Sequence, residues 1–369
     1  MTSYADRHGE RSEGPAYWVT LHALSVDLDA LEEAIALSNE VSEKLEHKEP
    51  DLENKLLRVG KQLTRAIFDG NTDLLAKFYD ALRLSGSENP RIRFIVEKRV
   101  YPAILEAVFD KASEQCWMLR APVYRRLRLD GVGQPLFKGP PGTGGRLNCL
   151  IVESDVHGHI GQLDHSFDSL ANAHLEAEWL YGYLKENKHE FGLGEVEWLR
   201  RGEDGHSFRE ALYDRLTTKR NGDWDGWHLV HYAGHSYYDG QGKAGKENMG
   251  YILVPSAADD ELSTAGELID AETFAVWLKG AGVRFLYLSS CHSSEEDFAF
   301  QLAKKMIPAV VGFRWDIEDE QAREYTEKFY THLFHQRSIE SAFFEARKEM
   351  HDARPKEPIW ASPVLVVQI

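Results

Sequence analysis

Apolar residues recur at helical spacing from 21 to 45, at Leu24, Leu28, Leu31, Ile35 and Leu37. The same periodicity predicts helices over 52–68 and 73–84, and again over 101–111. Residues 91–96 (RIRFIV) alternate and predict a strand. The first portion of the chain therefore reads as mostly helix with a little sheet. Residues 1–17 are polar, carry Gly9, Gly14 and Pro15, and read as disordered.

The pattern changes across 138–145 (KGPPGTGG), where two prolines and four glycines in eight residues break regular structure. The stretch resembles a phosphate loop only superficially. Gly145 is followed by Arg146, not by the required Lys-Ser/Thr pair. Beyond it, apolar runs predict strands at 147–152, 195–199, 227–232, 251–254, 284–289, 308–313 and 364–368. Helical patterns fall between them at 170–184, 207–216, 271–279, 295–305, 318–335 and 338–351. Strands separated by helices predict an α/β fold, a mainly parallel sheet covered on both faces. No internal repeat is visible.

Composition narrows the function classes. Of 369 residues, 43% are hydrophobic and 28% charged, an ordinary globular mix. The formal net charge of -17 argues against a nucleic acid held by broad phosphate contacts, which needs a basic surface. No apolar run is long enough to span a bilayer, and residues 1–14 lack the apolar core of a secretory signal. The expectation is a cytoplasmic protein with no membrane partner. Its three cysteines, Cys116, Cys149 and Cys291, are too few and too scattered for a disulfide framework or a zinc ribbon.

Candidate chemistry lies at two strand ends, where open parallel sheets place their ligands. The strand at 227–232 runs into Ala233-Gly234-His235-Ser236, and the strand at 284–289 into Ser290-Cys291-His292-Ser293. His235 and Cys291 are 56 residues apart (291 − 235), room for one strand and one crossover helix between neighbouring strands. An imidazole beside a thiol can take its proton, and the thiolate can attack a carbonyl. The backbone N–H of Cys291, with one from Gly234 or Ser236, would meet the resulting oxyanion. Taken singly, each residue has a plainer reading: the cysteine as a small buried hydrophobe, the histidine as a structural residue. His231 and His235 are spaced like zinc ligands, but the segment reads as strand and turn, not helix. No metal is expected, and His231 reads as a buried, hydrogen-bonded support for the turn.

These residues resemble those of the CHAT family, caspase-like cysteine peptidases related to separase. Its His-x-x-Gly-His-Gly pattern stands here as His231-Tyr232-Ala233-Gly234-His235-Ser236, with serine at the last glycine. Its Leu-Ser-Ala-Cys-x-Ser pattern stands as Leu288-Ser289-Ser290-Cys291-His292-Ser293. The run from Ile307 to Trp315 resembles the strand ending in Arg-Trp, and Phe329, Tyr330 and Leu333 resemble the Phe-Tyr-x-x-Leu helix ending. Ser338 to Arg347, then Trp360 and Pro363, resemble the closing elements.

The resemblance implies a caspase-like fold with a peptidase domain over 147–369, a degenerate N-terminal half over 56–146, and a tail and helix over 1–55. It implies a cysteine endopeptidase with catalytic His235 and Cys291 and no cofactor. Its partners would be a dedicated protein substrate and an activating protein, in bacterial defence or cell death. Asp316 would supply the acid of a basic P1 pocket, with Asp319 one helical turn on. Ser289 stands where metacaspase-like enzymes carry an acid. A catalytically silent scaffold and a thiol acyltransferase are the competing functions.

Overall fold

The structure is a computed structural model. It describes residues 27–45, 51–69, 72–84, 90–128, 146–201, 207–218, 226–239, 249–256, 266–291, 307–336 and 338–368, with 293, 298, 301–302 and 305. The expected disorder over 1–17, the 138–145 linker and most of the helix expected at 295–305 lie outside the described residues.

Eight strands form the central sheet: β1 (Ile92–Val96), β2 (Val123–Leu127), β3 (Leu147–Ser154), β4 (Leu193–Leu199), β5 (Leu229–Gly234), β6 (Phe285–Ser289), β7 (Ala309–Phe313) and β8 (Pro363–Val367). Their spatial order is β1-β2-β8-β7-β6-β5-β3-β4. Every pairing is parallel except β7 with β8. Five strands therefore run one way and three the other, and the expected mainly parallel α/β sheet is present.

Alternation along the strands explains why both faces are covered. On β3, Cys149 and Ile151 join one core with Ala177, Leu180 and Leu184 of α4 (Ala171–Glu186). Leu150 and Val152 join the other, with Leu212 of α5 (Phe208–Thr217) and Phe274 and Leu278 of α6 (Ala271–Gly280). Strands buried on both faces read as near-continuous apolar runs, as Cys149–Val152 does. Three of the helices start at polar caps. Ser207 and Glu210 form a capping box on α5. Asp270 caps α6, and Ser338 caps α8 (Ile339–Ala353). The remaining long helix of this half, α7 (Asp319–Gln336), packs against α4 and α8.

The N-terminal portion is mostly helical, as expected: α1 (Leu28–Leu45), α2 (Leu52–Thr64) and α3 (Thr72–Leu84) precede β1. The expected helix over 101–111 is absent. Only a short 3-10 turn, Leu105–Ala107, and a two-residue strand, Phe109–Asp110, occur there. The cause is Arg125 on β2. Its guanidinium donates to the carbonyls of Tyr101 (2.5 Å) and Ala103 (2.6 Å), which a helix would need for its own ladder.

That arginine belongs to a buried charge cluster. Glu106 accepts from Arg125 at 2.6 Å and 2.7 Å, and from Arg314, just past β7, at 3.2 Å. Arg347 of α8 donates to the Trp360 and Pro363 carbonyls nearby. Burial would raise the Glu106 carboxyl, but Arg125 outweighs it, with Arg314 and Arg347 adding to the effect, and holds it at about 2.

Glu106→Gln should therefore cost about 3–5 kcal/mol, because it strands buried guanidinium groups. A urea-unfolding series checks this. Since the folded value lies below the ordinary 4.5, the stabilisation is complete above that pH and is lost as pH falls toward 2. The variant should lack this acid-side decline.

Candidate active site

The register of β5 and β6 fixes the geometry. Ala233 pairs with Ser289 in parallel, an offset of 56 residues, the separation of His235 from Cys291. Each candidate stands two residues beyond its paired neighbour, at the same end of adjacent strands. The two turns are also joined directly. The Ser236 hydroxyl donates to the carbonyl of Cys291.

The histidine turn is held from beneath. Tyr232 places its hydroxyl 2.7 Å from the His235 carbonyl and 2.6 Å from that of Leu253. Ser154, at the end of β3, donates to the same Leu253 carbonyl at 2.6 Å. Leu253 N–H donates to the His235 carbonyl at 3.0 Å. Gly234 sits inside this cage. A Cβ there would lie 2.6 Å from the Ser154 carbonyl oxygen and 2.7 Å from the Tyr232 hydroxyl oxygen. Close approach is what requires glycine. Ser236 needs no such freedom, because its φ is not positive. It opens the strand Ser236–Asp239, an edge of a three-stranded antiparallel sheet with Met249–Pro255 and Gly266–Asp270. Two of these strands, Ser236–Asp239 and Gly266–Asp270, were not anticipated.

The His235 ring lies against Phe167, with centroids 4.9 Å apart. Its Nε2 sits 2.8 Å from the Asp168 carbonyl, an acceptor only, so Nε2 carries the proton. In the neutral ring this leaves Nδ1 as the basic atom. Burial lowers the His235 pKa, while the Asp168 carbonyl and the Asp155 and Asp168 carboxylates raise it, and the net direction is down. Asp168 escaped the sequence reading because the contact uses its carbonyl, which any residue supplies.

The Cys291 turn is pinned by Ser293. Its hydroxyl donates to the Ser290 carbonyl (2.7 Å) and accepts the Phe313 N–H (2.9 Å) from β7. The Cys291 side chain is half-buried, and the other two cysteines are buried. Its thiol faces the Ile317 carbonyl at 3.9 Å. Among the described residues, no hydrogen bond joins the thiol to the His235 ring. Burial, then the neighbouring Asp316 carboxylate and Asp319, pushes the thiol up to about 12. At neutral pH this arrangement keeps Cys291 protonated.

Of the acids expected near P1, Asp316 is exposed and interacts with the thiol. Asp319 is engaged elsewhere: its Oδ2 accepts the Asn172 N–H at 2.6 Å, at the start of α4. Ser289 is turned inward. Its hydroxyl donates to buried Glu176 at 3.0 Å. Glu176 also accepts from Thr326 (3.0 Å) and lies 2.9 Å from Nε2 of buried His231. His231 Nδ1 faces the Tyr330 hydroxyl at 3.1 Å, and its ring stacks on Tyr287. This polar network under β6 draws on four separate elements, and nothing in the sequence pattern linked them.

The CHAT domain family model matches residues 133–368. The chain belongs to the CHAT domain family. Its mainly parallel α/β sheet flanked by helices is the fold class that the sequence resemblance implied. No curated protein sequence matches this CHAT chain.

Solved structures offer distant likenesses. The Arg-specific cysteine proteinase gingipain R is 13% identical, with a TM-score of 0.34 over 60% of this chain and 46% of that one. The complex of the pro- and mature domains of a Porphyromonas gingivalis gingipain gives 11%, 0.35, 60% and 47%. The Saccharomyces cerevisiae separase–securin complex gives 12% identity and a TM-score of 0.40 over 93% of this chain and 22% of that one. The CHAT chain thus spans under half the length of the gingipain chains and less than a quarter of the separase-complex chain.

Two outcomes follow from the geometry. Gly234→Ala should destabilise the chain by about 1–3 kcal/mol through overpacking, read as a lowered melting temperature. Iodoacetamide should label Cys291 slowly at neutral pH, with a rate rising about tenfold per pH unit up to its midpoint. Mass spectrometry with a Cys291→Ala control measures it, and fast labelling at neutral pH would contradict the shielded thiol.

Proposed function

We propose that this chain is a cysteine endopeptidase that makes limited cuts in a dedicated protein substrate. The observation that carries the reading is the in-register pairing of β5 with β6, which sets His235 and Cys291 at matching positions of neighbouring strand ends. In this reading Nδ1 of His235 takes the thiol proton and later gives it to the leaving amine. The thiolate attacks the scissile carbonyl to form an acyl-enzyme, which water then hydrolyses. The backbone N–H of Cys291 and one from the Gly234–Ser236 turn face the developing oxyanion.

In this reading the thiol, turned to the Ile317 carbonyl and not to the imidazole, is at rest. An activating partner or proteolytic processing would bring the sulfur away from Ile317 toward the imidazole. Asp316, exposed beside the thiol, supports a basic P1 residue. An arginine or lysine paired with that carboxylate would remove one of the influences holding the thiol protonated. Asp319 and Ser289, with their side chains engaged elsewhere, take no direct part in the P1 pocket in this reading. The cytoplasm as location, and bacterial defence or cell death as setting, belong to the same proposal on the family resemblance alone. A silent scaffold is the second reading, and the missing thiol–imidazole bond is the observation that favours it.

Once activated by its partner or by limited proteolysis, the chain should cleave a peptide library with a preference for Arg or Lys at P1 over Leu and Asp. Cys291→Ala and His235→Ala should each abolish cleavage. Equal or better cleavage after Leu would remove the role of Asp316. Binding of a protein partner by parent and Cys291→Ala alike, with no cut peptides by mass spectrometry, would favour the scaffold.

A further inference from the structure

The sheet places a third strand end beside the two already described. β5 lies between β6 and β3. Ala233 pairs with Ser289 on one side and Glu153 on the other, and Ser154 pairs with Gly234. Continuing that register by one residue sets Asp155 beside His235 as Cys291 stands on its opposite flank.

The Asp155 carboxylate is not pointed at open water alone. Its Oδ1 accepts the Leu170 N–H at 2.9 Å, and its Oδ2 accepts from the Ser169 hydroxyl at 3.0 Å. His157 Nδ1 lies 3.9 Å from the same Oδ2. Both bonded residues directly follow Asp168, whose carbonyl receives the His235 Nε2–H at 2.8 Å. The far end of this short segment is fixed by a second acid, since Asp319 accepts the Asn172 N–H. Residues 168–172 are thus tied to the end of β3 on one side and to the start of α7 on the other.

We propose that Asp155 is a positioning residue for His235: it fixes the 168–170 turn so that the Asp168 carbonyl orients the imidazole. The proposal rests on the peptidase reading of His235. Asp155 acts twice. Its two accepted hydrogen bonds set where the Asp168 carbonyl stands, which in turn decides the tautomer and ring plane of His235. Its negative charge lies close enough to offset part of the cost of protonating a half-buried ring. The charged groups facing His235 are the Asp155 and Asp168 carboxylates, which favour its protonated form, and His165, which opposes it. Burial opposes it most.

The test is a pH titration of the full chain labelled with 13C at its histidine rings. The His235 signal is identified among 16 histidines by its loss in His235→Ala. Asp155→Asn keeps an oxygen for the Leu170 N–H but loses the charge and one acceptor. It should retain the parent circular dichroism and lower the His235 midpoint by about half a pH unit or more. In peptide cleavage it should lower kcat about tenfold to a hundredfold with little change in KM, as expected when geometry is disturbed away from the substrate. Ser169→Ala, which keeps the charge, should shift the midpoint less than Asp155→Asn. An unchanged His235 midpoint in Asp155→Asn overturns the proposal. Because the titration needs no substrate, a parent chain that cleaves nothing even after activation would sink the peptidase reading and leave Asp155 still judged by the ring midpoint.

Discussion

One lateral constraint organises this molecule: the hydrogen-bonded pairing of two parallel strands whose exits carry an imidazole and a thiol. Register is locked wherever a strand face is buried, and here both faces are. Tyr232 and Leu288 enter one core, while Tyr287 enters the other. A slip of one residue along this pair would invert every buried side chain and separate the two turns. The core is therefore what keeps the reactive groups abreast.

The polar groups of the interior reinforce that constraint from two directions. Glu176 ties α4 to β6 and α7 through Ser289 and Thr326. Glu106 ties the N-terminal portion to Arg314, only two residues before Asp316. Isolated buried charges are costly, and each is tolerated because several partners converge on it. Both clusters join segments far apart in sequence, so neither element can shift without breaking bonds in the other.

Much of this was legible in advance. The strands of the second half announce themselves as apolar runs, and the 56-residue spacing of His235 and Cys291 anticipated adjacent strand ends. What escaped notice has common physical causes. The helix expected over 101–111 fails because a distant guanidinium claims its carbonyls. β2 (VYRRL) hid because two of its five residues are arginines, one of which is buried by Glu106. The Asp168 contact to His235 is made by backbone, which leaves no trace in residue type. Ser289 looked like a pocket position from its place before Cys291, yet its hydroxyl satisfies a buried carboxylate.

The position of β8 has a consequence for how the chain matures. β1 and β2 meet the rest of the sheet only through β8, which is the latest of the eight strands in sequence. During synthesis, the first two strands leave the ribosome long before the partner that anchors them. Sheet closure must await that final strand, a pairing of high contact order and correspondingly slow. Arg314, whose N–H is bonded to Ser362, and Asp316 two residues on reach their final setting only when β8 has docked. A nascent chain therefore lacks the finished site until translation has passed residue 367.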